Sequence, residues 1–317
     1  MVSLSVIVPA TNNPSTLPRC LAAIERAEDA AEQLIVVRDA NLIGPAAARN
    51  AGARGASGDV LVFVDADIEV HGDALQRIRA AFSADRKLAA LFGSYDDAPA
   101  APGLVSVFRN LLHHHVHRAS AGAATTFWAG IGAVRRDAFQ SVGGFDEVRF
   151  AVPSVEDIEL GMRLTAGGAR IVLDPAVQGT HLKRWTLVQM VRTDLHDRGI
   201  PWVELLLESR SGSGALNLGW RHRLSTVAVL LVVGGVVTRR TRLTASSVAA
   251  LVVLNHSFYS LLAKRRGGLT AVAGVGLHAV HHLTGAAAVP AGMSRHVVRR
   301  LRRRAVEGRA NGSRRAE

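Results

Sequence analysis

The chain has 317 residues, enough for one large domain or two modest ones, and a formal net charge of +12. Its one cysteine, Cys20, excludes an internal disulfide framework and fits a reducing compartment. The charge is uneven: Arg295 to Glu317 holds nine Arg against two Glu, and other basic clusters flank apolar runs, which suits a membrane surface better than nucleic acid. No nucleic-acid recognition motif accompanies the charge.

In chain order, "LSVIVPA" is a short β-branched run closed by a proline, a strand signal. With no charged segment or cleavage site at this end, the opening reads as a strand and not a signal peptide, so the N-terminal part is expected in the cytoplasm. "STLPRCLAAIERA" predicts a helix, "EQLIVVRDAN" a strand ending at Asp39, and "GPAAARNAGARGAS" an Ala-rich, helix-like stretch. "GDVLVFVDADIEV" is a third strand, "GDALQRIRAAFSA" a helix and "KLAALFGSY" another strand. This alternation predicts an α/β fold: a mixed, mostly parallel sheet with helices on both faces. Ligands of such sheets bind at the carboxyl ends of the strands, where Pro9, Asp39 and Asp65 fall. "VSVFRNLLHHHVHRA" and "SVEDIELGMRLTAGG" read as helices, "ARIVLDPAVQGTHLKRWT" as a last strand and its exit.

Beyond "SGSG" at 211–214 the character changes. Three uncharged runs begin at Leu224, Leu243 and Gly267, with 15, 21 and 27 residues, separated by "RRTR" and "KRR". A full span needs about 20. The expected organisation is a catalytic domain over 1–210, a linker over 211–223, a membrane region over 224–294, and a basic, disordered tail over 295–317. Tail and catalytic domain both belong on the cytoplasmic side of a multi-pass cytoplasmic-membrane protein, which demands an even number of spans. Two spans plus one interfacial or re-entrant segment satisfies that: either the first two runs span, or the last two.

Asp65 and Asp67 follow a run of five apolar residues. Strand side chains alternate, so the two point the same way. Two carboxylates on one side repel unless a cation lies near, and Mg²⁺ typically uses one or two carboxylates plus substrate phosphates. A solvated turn, or an N-cap for the next helix, is the plainer alternative. Ser154 with Asp157 three residues later forms a capping box on paper. His113 and His117 lie one helical turn apart with no nearby acid or Cys, so they read as solvated helix or acceptor-side surface. His278 and His282, in an apolar run, read as packing between membrane helices.

The pieces "SVIVPATNN", "IVVRDAN", "AAARNAGARGASGDVLVFVDADIEV", "VGGFDE" and "VEDIELGMRLTAGG", in this order, resemble the family 2 glycosyltransferases. These are inverting enzymes with a GT-A fold. The resemblance covers about the first 185 residues. It implies that Pro9 and Asp39 line the base and ribose pocket, that Arg49 and Asn50 shape the nucleotide site, and that Asp65 contacts the nucleoside. Asp67 would bind Mn²⁺ or Mg²⁺ bridging the diphosphate, with Asp65 and His181 further ligands. Of Glu156 and Asp157 the second would be the general base. Phe145 and Asp146 would shape the acceptor side, Asp146 serving equally as a turn residue. "HLKRW" is similar to the Q-x-x-R-W motif of processive synthases, with His181 at its first position; Arg184 would contact the diphosphate and Trp185 stack on the acceptor, or belong to an interfacial belt. Arg38 stands where the family often has an acid, which leaves the donor base open. The expected partners are a nucleotide-sugar donor, a lipid-linked or glycan acceptor and the membrane, with no nucleic acid. The alternatives are a processive polysaccharide synthase and a non-catalytic membrane scaffold that keeps the fold.

Overall fold

The computed structural model describes residues 1–39, 41–42, 44–209 and 219–313, the side chains of 303–313 excepted. The chain runs β1 (Leu4–Pro9), α1 (Leu17–Glu25), β2 (Gln33–Val37), α2 (Gly44–Arg54), β3 (Val60–Val64), β4 (Ile68–Val70), α3 (Ala74–Ala84) and β5 (Leu88–Tyr95). It continues through α4 (Leu104–Ala119), β6 (Gly122–Ala124), β7 (Ile131–Arg135), α5 (Arg136–Ser141), α6 (Glu156–Ala166) and β8 (Arg170–His181). Then come α7 (Leu187–Arg192), a π-helical segment (Thr193–Gly199), α8 (Ile200–Ser209), α9 (Trp220–Val237), α10 (Thr241–Leu254), α11 (His256–Arg266) and α12 (Gly268–Ser313).

The strands form one sheet in the order β2-β1-β3-β7-β5-β8-β4, with β6 on β8. β2, β1, β3, β5 and β8 run one way; β7, β4 and β6 run against them. The sheet is thus mixed and mostly parallel, as the alternation predicts. β7 is the irregular element: it enters antiparallel between β3 and β5 and brings the loop before it, 125–130, to the carboxyl edge of β3. The Asp65 amide donates to the Gly130 carbonyl there at 3.0 Å.

Alternation along the central strands sorts two cores. Leu4, Val6 and Val8 with Val60, Val62 and Val64 pack on α1 and α3, against Leu17, Ile24, Leu75, Ile78 and Phe82. Ile7, Leu61 and Phe63 face the other way, onto Phe139, Phe145, Leu160 and Leu164. β3 is buried on both faces, which is why it reads as an unbroken apolar run. α6 lies unusually close to the 125–130 loop: a Cβ on Gly161 would stand 2.2 Å from the Phe127 amide nitrogen, so only glycine permits the approach.

The C-terminal helices pack on the sheet domain through α4. Val107, Phe108, Leu111 and Leu112 of α4 share a core with Phe258, Tyr259 and Leu262 of α11 and Leu277 of α12. Two helices are long and apolar enough to cross a membrane, Trp220–Val237 with 18 residues and Gly268–Arg302 with 35. The middle apolar run is a pair, α10 and α11, bent by 74°. Both pairings of spans foreseen in the sequence included that run. The reason for the break is Asn255, a poor helix former between the two helices. Its Nδ2 donates to Ser225 Oγ on α9 at 2.8 Å and to the Leu251 carbonyl at 3.0 Å, fixing the bend from inside. The backbone of α12 stays helical through Ser313, into the stretch expected to be disordered. Most of the expected linker, 211–218, lies outside the described residues, as does 314–317.

Candidate active site

At the carboxyl edge of the sheet lies a cleft of about 600 Å³. Of the residues singled out in the sequence, Pro9, Arg49, Asp65, Asp67, Glu156, Asp157, His181 and Trp185 line it. Asp65 and Asp67 sit in the turn between β3 and β4, not on the strand, so strand alternation does not set their direction. Arg49 holds Asp65 instead. It is buried, 4% exposed, and its two terminal nitrogens reach Asp65 Oδ1 at 2.7 Å and Glu156 Oε1 at 2.9 Å. One guanidinium therefore joins the D-x-D turn to the start of α6. A guanidinium buried against two carboxylates is held by both; removing one partner of such a group typically costs about 3–5 kcal/mol.

The second acid of each pair is left for the cleft. Asp67 Oδ2 lies 3.5 Å from His181 Nε2. Burial would raise the Asp67 carboxyl, but the His181 contact and the charges of His181 and Lys183 outweigh it and hold it below the usual range. Asp65 goes the other way: burial and the neighbouring Asp67 raise it, against Arg49. His181 is fixed by stacking on Tyr95, centroids 4.2 Å apart and planes 10° off parallel.

Asp157 stands across the cleft. Its Oδ2 accepts from the Ala129 amide at 3.2 Å and its Oδ1 from the Ile158 amide at 2.8 Å. Burial, then the charge of Glu156, push its carboxyl up to about 6. Glu156 has no free oxygen: Oε1 takes Arg49 and Oε2 takes the Ser154 amide at 2.9 Å. The capping box does not form. Val155 is the N-cap, and the Ser154 hydroxyl instead donates to the Asp197 carbonyl at 2.8 Å, tying the start of α6 to the π-helical segment.

Five residues read as site residues stand elsewhere. Asn50 is behind the cleft; it pairs with the Phe145 amide and carbonyl at 2.9 and 2.8 Å and with Glu147, and so clasps the Gly-Gly turn, where Gly144 has φ +71. Phe145 is 2% exposed, packed on Phe63 and Phe139 in the core, so it shapes no acceptor surface. Asp146 accepts from the Arg149 amide as a turn residue. Asp39 is exposed and spends its Oδ1 on Asn41. Arg184 is exposed outside the cleft lining: His181, Lys183 and Trp185, two residues apart, line it, and the cation presented there is Lys183.

The rest of the lining joins His113 and His117 to residues with little or no sequence signal. Tyr95, His113, His117 and Trp128 form one aromatic group, with His113–His117 centroids at 3.8 Å and His113–Trp128 at 4.5 Å. His117 is buried, its Nδ1 2.9 Å from the Gly93 carbonyl, and burial pushes it down to about 4. These histidines are neutral wall, not solvated helix. Arg109, Arg198, Trp202 and His281 complete the lining. Arg109 meets Asp194 at 2.6 Å, and Asp194 meets His281 of α12 at 2.7 Å. The only available signal for Tyr95 was its place at a strand's carboxyl end; none existed for Arg198 or His281, which tertiary packing brings in.

Among the described residues no group of three or more His, Cys, Asp or Glu is placed to hold a metal by protein ligands alone. A divalent cation that takes one or two carboxylates and completes its shell with substrate phosphates asks for less. Asp67, ionised and unpaired with any arginine, fits that demand, with the second oxygen of Asp65 and His181 beside it.

Residues 25–143 match the family described as Glycosyl transferase family 2. No curated protein matches the chain in sequence. Among solved structures, the chain is similar to the mannosyltransferase PcManGT from Pyrobaculum calidifontis in complex with GDP-Man and Mn²⁺, at 18% identity and TM-score 0.51, covering 93% of this chain and 87% of that one. It also aligns with GalNAc-T7 with UDP, GalNAc and Mn²⁺ (14% identity, TM-score 0.47, 72% of this chain and 51% of that one). A third is S. aureus TarS 1-349 (14% identity, TM-score 0.44, 89% and 90%). The first likeness is one of fold, that of the GT-A enzymes, and the family match covers residues 25–143 of the chain.

Proposed function

We propose that this protein is a membrane-anchored, metal-dependent, inverting glycosyltransferase. It moves a sugar from a nucleotide-diphosphate sugar to an acceptor hydroxyl, the acceptor being lipid-linked. One observation carries the reading: Arg49 bridges Asp65 and Glu156, while Asp67 and Asp157, free of Arg49, line the same cleft.

Pro9 and the Thr11–Asn12 loop, at the end of β1, line the nucleotide end of the cleft. Asp67, with Asp65 and His181, would hold Mn²⁺ or Mg²⁺, which when bound neutralises the leaving diphosphate. Lys183 adds a positive charge on the same side. Asp157 takes the proton of the acceptor hydroxyl as that oxygen attacks the anomeric carbon and the bond to the diphosphate breaks; attack from the face opposite the leaving group inverts the centre. A carboxylate near 6 is ionised at neutral pH yet basic enough for that task. Glu156, locked on Arg49, positions the turn and takes no proton.

The membrane reading rests on the two long apolar helices and the basic residues that follow them. With α9 and α12 as spans and the bent α10–α11 pair between them, both ends of the chain lie on one side, the cytoplasmic side, where nucleotide sugars are made.

The test is donor hydrolysis by purified full-length protein in detergent, over a panel of nucleotide sugars with Mn²⁺, Mg²⁺ or EDTA. Metal-dependent release of nucleotide from one donor, lost in Asp67→Ala and Asp157→Asn, is expected. Silence across the panel together with no nucleotide binding by calorimetry would refute the enzyme reading.

A further inference from the structure

The cleft is also lined from α4, the π-helical segment, α8 and α12. The charges these elements bring are nearly all spoken for. Arg109 and His281 share Asp194, whose carboxyl their charges hold below the usual range although burial works to raise it. Asp197 accepts the Thr193 hydroxyl at 3.0 Å. Arg198 is different. It lines the cleft, it is exposed, and among the described residues it has no carboxylate or carbonyl partner. It shares the cleft lining with Tyr95, His113, His117 and Asp157.

Its placement is built, not incidental. The Ser154 hydroxyl holds the carbonyl of the preceding residue, Asp197, so the start of α6, which carries the base, also fixes Arg198. The segment is π-helical over Thr193–Gly199, a local widening that often marks a functional position. A guanidinium without a partner in a concave, aromatic-walled site is a receptor for an oxyanion, which it can bind by two parallel hydrogen bonds.

Resting on the glycosyltransferase reading, we infer that Arg198 recognises a phosphate carried by the acceptor, next to the hydroxyl that Asp157 deprotonates. The acceptor class is then a phosphorylated hydroxyl compound. The long apolar helices α9 and α12, the second of which brings His281 to the cleft, suit one with a lipid tail.

The probes are dodecyl phosphate, inorganic phosphate and dodecanol, titrated against full-length wild type, Arg198→Ala and Arg198→Lys in detergent. The readout is tryptophan fluorescence, since Trp128, Trp185 and Trp202 line the cleft. Saturable quenching by dodecyl phosphate is expected, weakened about tenfold or more in Arg198→Ala, as loss of a charge-assisted pair predicts. Arg198→Lys should recover part of it, and dodecanol should not distinguish the three proteins. Tighter binding of dodecyl phosphate than of inorganic phosphate assigns the anion to a lipid; equal, Arg198-dependent binding assigns it to a soluble phosphate. Equal affinity in wild type and Arg198→Ala, or no saturable quenching in wild type, overturns the inference. Thermal melting of each variant checks that it is folded. Donor hydrolysis by the wild type reports separately on the underlying reading: its absence with phosphate binding intact sinks the enzyme and spares the anion site.

Discussion

The cleft has two acidic pairs, Asp65/Asp67 on the sheet edge and Glu156/Asp157 on α6, and they are treated in parallel and then driven apart. In each, Arg49 claims one member. Of the two left over, Asp67 is held below the carboxylate range by His181, whereas Asp157 is pushed up to about 6. Opposite environments around like groups assign opposite tasks: a permanent anion suits cation binding, and a carboxylate near neutrality suits proton transfer. The lesson is that one buried cation can organise a site.

The comparison can be broken most directly at the base. Asp157→Asn is expected to lower sugar transfer by about 10²–10⁴-fold while nucleotide binding persists. Glu156→Gln should lose less than about tenfold, since its partner is Arg49 and not substrate. If steady-state rates rank the two the other way in folded protein, the roles are reversed.

Arg49→Ala comes next. Two buried carboxylates lose their cation, and stability should drop by about 3–5 kcal/mol in denaturant melts. The surface pair Arg265–Asp97, which joins α11 to the loop after β5, is the control. Asp97→Ala should cost under about 1 kcal/mol. Similar losses in both would mean that Arg49 is not the organising group.

A third test uses pH. Activity should rise through about pH 6 as Asp157 loses its proton and flatten above it. Stability runs in the opposite sense. The folded Asp157 binds its proton more tightly than the unfolded chain, so the charge costs stability as pH climbs from about 4 to about 6. Asp157→Asn should therefore melt a few degrees higher than wild type at pH 7.5, with the gain gone below pH 4. A constant difference across that range would show that burial of the charge is not the cause.

Much of this was legible in the sequence because it is local. β3 announces itself as an unbroken apolar run, and Asp65, Asp67, Glu156 and Asp157 stand at the ends of elements that periodicity locates. What was lost is what only packing decides. Phe145 looks like a site aromatic beside two acids, yet it fills the space between Phe63 and Phe139. Arg184 and Lys183 are equivalent cations until the exit from β8 turns one into the cleft and the other out. The antiparallel entry of β7, which delivers the Ala129 amide to Asp157, has no signature in its five residues.

α12 does two jobs with one helix. Its length and apolarity suit a membrane, and its His281 is part of the cleft lining, clamped through Asp194 to Arg109. The catalytic unit is therefore not a detachable head on a stalk. Cutting the chain after Ser209 would take His281 from the cleft lining and bare Phe108, Leu111 and Leu112, the α4 surface that α11 and α12 cover. Exchange of α12 for another apolar helix would be a change to the candidate site as well.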